Sequence, residues 1–108
     1  MTVTPQIKVP RRARPGEVVL LRAKLNHPME TGWRENAAGE KVPRNRIHTF
    51  LCEFEDQEIF RADLHSGVSA DPYLAFFTTA SATGTFRFTW LEDGGKTYTK
   101  TATMEVLQ

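Results

Sequence analysis

Apolar and polar side chains alternate along most of this 108-residue chain, and no stretch keeps a helical period. The segment Thr85–Leu91 is the clearest case, because its large aromatic side chains share one parity: Phe86, Phe88 and Trp90. It is followed by Asp93-Gly94-Gly95, a turn in which glycine supplies positive φ without steric cost. About seven such runs, with turn signals roughly every 8 to 12 residues, predict an all-β, immunoglobulin-like sandwich of antiparallel strands.

Arg46–Phe54 is the predicted core strand, since its β-branched and aromatic residues suit a pleated strand. Its alternation assigns one set of side chains to the core: His48, Phe50, Cys52 and Phe54. The other set faces away from the core: Ile47, Thr49, Leu51 and Glu53. A charged turn, Glu55–Glu58, then leads into a second strand with Phe60, Ala62 and Leu64 on one face.

Other runs complete the predicted sandwich. Val3–Val9 is an edge strand, because a proline within it cannot donate to a central ladder, and Pro10–Pro15 with its arginines is a solvated turn. Glu17–Leu25 has one apolar face: Val19, Leu21, Ala23 and Leu25. Tyr73–Phe77 is apolar at every position, which predicts a strand covered on both faces. The last strand faces inwards through Tyr98, Ala102, Met104 and Val106.

Composition limits both the number of domains and the kinds of partner. A chain of 108 residues with 40% hydrophobic residues fits a single domain with a modest core. Its formal charge of +1 gives no field that would attract nucleic acid or an anionic membrane. Met1–Pro10 has no apolar signal region and no run approaches a membrane span, so we expect a soluble protein without a secretion signal of its own.

The polar segment Met29–Asn45 is long for a connection in a small sandwich, and Trp33 is its only large aromatic residue. Loops of this length without secondary structure are often functional. The alternative is a connecting loop, pinned by Trp33, that crosses between the sheets. The sequence leaves both open.

No catalytic, cofactor or metal site is predicted. Cys52 is a candidate nucleophile, but it lies on the predicted core face, where burial favours an inert thiol. The three histidines, His27, His48 and His65, have no zinc-site spacing. Ser66 and Ser69 lie near acidic residues and a histidine, but no strained turn presents them as nucleophiles.

A surplus of apolar surface is the stronger functional signal. A small two-sheet sandwich shelters one face of each sheet, yet Val18 with Leu20, and the run that contains Leu74 and Phe76, are apolar on both faces. Each such side chain left in water forgoes roughly 1.5 to 3 kcal/mol relative to burial. Patches of this kind usually mark a protein partner, although loops of the same chain are an alternative cover.

Four separated motifs resemble the SoxZ family of bacterial sulfur oxidation: His27-Pro28-Met29-Glu30-Thr31-Gly32, Pro43-Arg44-Asn45, Phe60-Arg61-Ala62-Asp63-Leu64 and Ala70-Asp71-Pro72-Tyr73. The resemblance runs from about residue 7 to residue 106. Two departures are Arg34-Glu35-Asn36, where the family commonly has Arg-Lys-Asp, and Asp71, where asparagine is common.

The resemblance implies an immunoglobulin-like fold and a non-enzymatic subunit that pairs with SoxY. In that family SoxY bears the sulfur-carrying cysteine on its carboxy-terminal arm, and the complex visits the other Sox enzymes in the periplasm, after export with its signal-bearing partner. This chain ends in Met104-Glu105-Val106-Leu107-Gln108, without a Gly-Gly-Cys-Gly-Gly arm.

We therefore expect Val18, Leu20, Leu74 and Phe76 to anchor SoxY, and the loop residues His27, Met29, Arg44 and Asn45 to form a recognition rim. Three alternatives remain open at this point. One is a subunit of a related carrier that serves another periplasmic dehydrogenase. The others are a generic immunoglobulin-like binding module and an enzyme that acts through Cys52 or a histidine metal site.

Overall fold

A computed structural model describes residues 3–65, 68 and 70–107. In that part of the chain eight strands form two sheets: β1 (Pro5–Lys8), β2 (Arg12–Ala13), β3 (Val18–Leu25), β4 (Ile47–Phe54), β5 (Gln57–Asp63), β6 (Tyr73–Thr79), β7 (Gly84–Glu92) and β8 (Thr97–Val106). The small sheet has the order β1-β3-β6, and the large sheet has the order β2-β8-β7-β4-β5. These ranges include no helix long and apolar enough to cross a membrane.

The all-β sandwich is confirmed, with eight strands instead of about seven. The additional strand is β2, which pairs in parallel with β8 through Arg12 opposite Glu105. It lies inside the segment predicted to be a solvated turn. The arginine side chains of that segment are exposed as predicted, because the pairing uses only backbone groups.

The core lies between the sheets and is built by the predicted faces of β3, β7 and β8. The small sheet buries Val19, Leu21, Ala23 and Leu25, and the large sheet buries Phe86, Phe88, Trp90 and Met104. Phe76 of β6 crosses to the large sheet, where its ring stacks on Phe60 at 4.1 Å and meets Phe50 edge-on at 6.2 Å between centroids. Aromatic packing therefore joins the two layers.

A β-bulge in β4 corrects the prediction for the start of that strand. Opposite β7, Ile47 pairs with Glu92 and Thr49 pairs with Leu91, so His48 is an extra residue between them. An inserted residue reverses the facing of the residues before it. Ile47 is accordingly fully buried and His48 is exposed, whereas the alternation predicted the reverse. Phe50 and Cys52 are buried as predicted.

Strand β6 is covered on one face only, so the prediction that both faces are covered is wrong. Phe76 is 8% exposed and Leu74 packs against the core, whereas Tyr73 and Phe77 are 57% and 70% exposed. Successive side chains of a strand point to opposite faces, so filling the core with one pair exposes the other. Leu74 and Phe76 thus belong to the interior and not to a surface patch.

We predict that Phe50→Ala lowers the free energy of unfolding by about 3 to 5 kcal/mol, because it opens a cavity at the centre of the inter-sheet aromatic packing. Chemical denaturation measures the change. Trp33→Ala, at a side chain that is 78% exposed, is the control and should change stability by no more than about 0.5 kcal/mol. A loss below about 1 kcal/mol for Phe50→Ala would contradict the described core.

Candidate functional site

Three apolar side chains form a patch on the outward face of the small sheet. Val18 is 62% exposed and Phe77 is 70% exposed, and Leu20 between them is half-buried. Leu20 lies directly opposite Phe77 in the β3–β6 ladder, so the three side chains are neighbours on one face. We call Val18, Leu20 and Phe77 the outer patch.

The outer patch borders a notch in the small sheet. In the described chain, β1 pairs with Arg22–Leu25 of β3 and leaves the Val18–Leu21 half without a neighbour on that side. The notch is a cleft of about 340 Å³ whose lining includes Val9, Pro10, Val18 and Leu20. The sandwich therefore offers apolar side chains next to an open strand edge.

The outward face of the large sheet is different, because it is polar and internally paired. Arg87 contacts Glu53 at 3.0 Å and Asp56 at 3.1 Å. Arg61 contacts Glu58 at 2.6 Å, and this hydrogen bond lowers the pKa of the Glu58 carboxyl. These paired charges favour contact with water, in contrast to the apolar side chains of the outer patch.

A buried histidine organises the opposite end of the sandwich. His27 is 1% exposed, and its Nδ1 accepts a hydrogen bond from the Met29 backbone N–H at 2.9 Å. The proton of the neutral ring therefore lies on Nε2, which donates to Glu92 Oε2 at 2.7 Å. The His27 carbonyl accepts the Asp71 N–H at 2.8 Å, so this one residue links two loops to β7.

Tyr98 completes the buried polar cluster. Its hydroxyl donates to the same Glu92 oxygen at 2.8 Å. Burial, followed by the hydrogen bond and the negative charge of Glu92, raises the pKa of Tyr98 to about 12. The hydroxyl is therefore a proton donor throughout the physiological range.

The long loop is fixed at its base and not by its tryptophan. Glu30 and Asn45 exchange two backbone hydrogen bonds of 2.8 Å, and Arg34 forms an ion pair with the Glu30 carboxylate at 2.7 Å. Met29 is buried and its sulfur accepts the Ile47 N–H at 3.3 Å. Trp33 is 78% exposed, which contradicts the alternative of a connecting loop pinned by this side chain.

The loop end also contains a cleft of about 490 Å³ lined by Thr31, Trp33, Arg44 and Arg46, which we call the arginine cleft. Arg44 is held by a hydrogen bond from its Nε to Asp93 Oδ2 at 3.1 Å. Sequence patterns indicated Arg44 but missed Trp33 and Arg46 as site residues. Arg46 directly precedes the core strand β4, and only the tertiary structure shows that it lines this cleft.

The predicted site residues therefore separate into two groups. His27, Met29, Arg44 and Asn45 meet at the loop end, where the first two side chains are buried and act from inside the chain. Val18 and Leu20 lie at the other end of β3, and Phe77 completes their patch. Phe76 lies in the core, and Leu74 is partly buried and packs against it.

The side chains considered for catalysis are not assembled into a site within the described ranges. Cys52 is fully buried, and burial raises the pKa of its thiol to about 12. Among residues 3–65, 68 and 70–107, no three His, Cys, Asp or Glu side chains lie close enough to hold a metal ion. Ser66 and Ser69 fall outside the described residues.

Comparison with known proteins gives the family. The sequence model of the protein family described as sulphur oxidation protein SoxZ matches residues 7–103, nearly the whole chain. The chain belongs to the SoxZ family. This confirms the resemblance carried by the four motifs and places the chain in the Sox system of sulfur oxidation. No curated protein gives a significant sequence match.

Solved structures of a different protein have the same fold. The superoxide reductase (neelaredoxin) from Ignicoccus hospitalis has a TM-score of 0.73 and 17% identity, over 96% of this chain and 80% of that one. Two single-substitution variants of that enzyme match equally well. At this identity the likeness between that enzyme and this chain concerns the sandwich architecture alone.

We predict that a charged disulfide reagent labels Cys52 of the native protein slowly at pH 8 and rapidly in denaturant. The thiol pKa of about 12 in the folded state exceeds its ordinary value of 9.0. Keeping the thiol protonated therefore contributes fully to the free energy of unfolding below about pH 9, and this contribution is lost as the pH rises towards 12. The free energy of unfolding should therefore fall less between pH 8 and pH 11 for Cys52→Ala than for the unchanged chain, and chemical denaturation at both pH values measures the difference. Fast stoichiometric labelling of the folded protein would contradict the burial.

We predict that Tyr98→Phe lowers the free energy of unfolding by about 1.5 kcal/mol, because Glu92 loses a donor in a largely buried site. Thermal or chemical denaturation measures the change. Tyr73→Phe is the matched control, since that ring is 57% exposed, and its effect should be close to zero. Equal effects of the two substitutions would contradict the claim that the hydrogen bond from Tyr98 to Glu92 stabilises the fold.

Proposed function

We propose that this chain is the non-catalytic subunit of the SoxYZ sulfur carrier, and that it binds SoxY through the outer patch. Membership in the SoxZ family supports the assignment to the carrier. The observation that carries the surface assignment is the exposure of Val18 and Phe77 beside Leu20 on the outward face of the small sheet. SoxY would bear the sulfur on its own cysteine, which agrees with the burial of Cys52 in this chain.

Energetic reasoning supports the choice of surface. Complete burial of one large aliphatic or aromatic side chain contributes about 1.5 to 3 kcal/mol. Phe77 and Val18 are mostly in water, so a partner that covers them gains most of this amount. Charged side chains beside the patch, such as Arg22 and Glu17, would form the polar rim that protein interfaces usually have.

The loop end has a second role in this proposal. Arg44 is exposed at the arginine cleft, while His27 and Met29 hold the loop base from below. This loop would contact SoxY or the enzymes that the carrier visits. In the proposed setting the complex works in the periplasm, and the partner supplies the export signal.

We predict that Leu20→Asp with Phe77→Asp weakens SoxY binding at least a hundredfold, because two apolar contacts are replaced by desolvated charges. Co-purification with tagged SoxY and titration of the purified chains measure the loss. Circular dichroism should show an unchanged fold, since both side chains point away from the core.

The matched control is Ile59→Asp, which adds a charge at a side chain that is 39% exposed on the large sheet. It should leave SoxY binding unchanged. An intact complex with the double variant would move the interface away from the outer patch. Failure of the unchanged chain to bind SoxY would overturn the proposed function itself.

A further inference from the structure

Arg46 is a buried cation without a matching anion. The residue is only 4% exposed, and its Nη2 donates to the Leu64 carbonyl at 2.6 Å. Its Nε has no hydrogen-bond partner among the described residues. No carboxylate in the described chain lies within ion-pair distance of its guanidinium; the nearby Asp93 instead accepts the Arg46 backbone N–H at 3.1 Å.

Such an arrangement is costly unless something else completes it. Arginine keeps its charge at all physiological pH values, and a buried charge without a counter-charge loses several kcal/mol of solvation. A buried donor left unsatisfied costs about 1 to 3 kcal/mol more. Because Arg46 lines the arginine cleft, an anion that enters the cleft lies close to this buried positive charge.

The surrounding charges favour an anion over a cation. Arg44 also lines the cleft, and Lys41 lies 4.7 Å from the ring centroid of Trp33, another lining residue. The nearby acids are already occupied: Asp93 accepts from Arg44 at 3.1 Å, and Glu30 is paired with Arg34 at 2.7 Å. The uncompensated charge at the cleft is therefore positive.

We propose that the arginine cleft is a binding site for a small tetrahedral sulfur oxyanion such as thiosulfate. Guanidinium groups bind oxyanions through directed, charge-assisted hydrogen bonds. The exposed Arg44 guanidinium and the Thr31 hydroxyl supply donors at the cleft, and the Arg46 guanidinium supplies a positive charge in its wall. The choice of a sulfur oxyanion among oxyanions rests on the proposed function, in which the carrier handles such groups; the cleft itself does not require SoxY.

The test uses the isolated chain, so its outcome is independent of SoxY binding. Calorimetric titration with sodium thiosulfate, at constant ionic strength set by sodium chloride, should show one saturable site. The arginine Nε–Hε signal of Arg46 should shift in ¹⁵N NMR spectra as that site fills. Sodium acetate, the comparison anion, should bind at least fivefold more weakly.

Substitutions locate the site. Arg46→Gln should weaken thiosulfate binding at least tenfold, and Arg44→Gln, at a side chain that is 60% exposed and not needed for the core, should weaken it at least threefold. Arg61→Gln removes the same charge from an exposed ion pair on the large sheet and should leave affinity unchanged. If Arg46→Gln fails to fold, Arg44→Gln still decides the question.

Three results would overturn the proposal. The first is the absence of a saturable site for thiosulfate, and the second is equal affinity for acetate. The third is an equal effect of Arg61→Gln and Arg44→Gln, which would indicate a response to net charge instead of a site.

Discussion

The alternation of β6 links the interior of this protein to its surface. Phe76 must point inwards to stack on Phe60 and meet Phe50, since these contacts join the two sheets. The next residue, Phe77, must then point outwards, where it lies opposite Leu20. The apolar surface is therefore not an accident of composition that a different packing could remove. It is the outward face of β6, the strand whose inward face fills the core.

The loop end depends on a different kind of interaction, a set of buried polar contacts centred on His27. Met29 and Asp71 both adopt positive φ, near 54°, and each donates its backbone N–H to His27. Left-handed backbone is uncommon for a side chain such as methionine, and it persists where the surroundings over-determine it. The histidine thus fixes the direction in which the long loop leaves the small sheet, and with it the position of the arginine cleft.

Much of the architecture could be predicted from alternation because β3 and β7 keep a regular period along their inward faces, and β8 does so except at the exposed Lys100. The period failed at two places for physical reasons. His48 is a bulge residue, and an inserted residue reverses facing without any change in composition. Tyr73–Phe77 is apolar at every position, so its sequence holds no information about which parity is inside, and Leu74 and Phe76 were assigned to the wrong side.

The functional residues divide in the same way. Motifs spread along the chain were sufficient for the family, and they included His27, Met29, Arg44 and Asn45. The buried state of His27 and the exposure of Trp33 could not be predicted, because both depend on which distant segment covers the loop. Arg46 was missed because an arginine at the first position of a predicted strand is usually solvated, and its unpaired Nε can be recognised only in the tertiary structure, where its Nη2 bonds the Leu64 carbonyl.

The first strands of the chain have a mechanical consequence. β1 pairs with β3 in the small sheet, and a few residues later β2 pairs with β8 in the large one. Because the short segment between β1 and β2 passes from one sheet to the other, it holds the two sheets together and opposes sliding of one over the other. Val18 is the first residue of the eight-residue strand β3, and the arginine cleft lies near the loop that follows its other end, so the two places are separated by at least roughly 20 Å along the strand. A molecule that touches both places must match that fixed span, which makes its reach, and not only its chemistry, a condition for recognition.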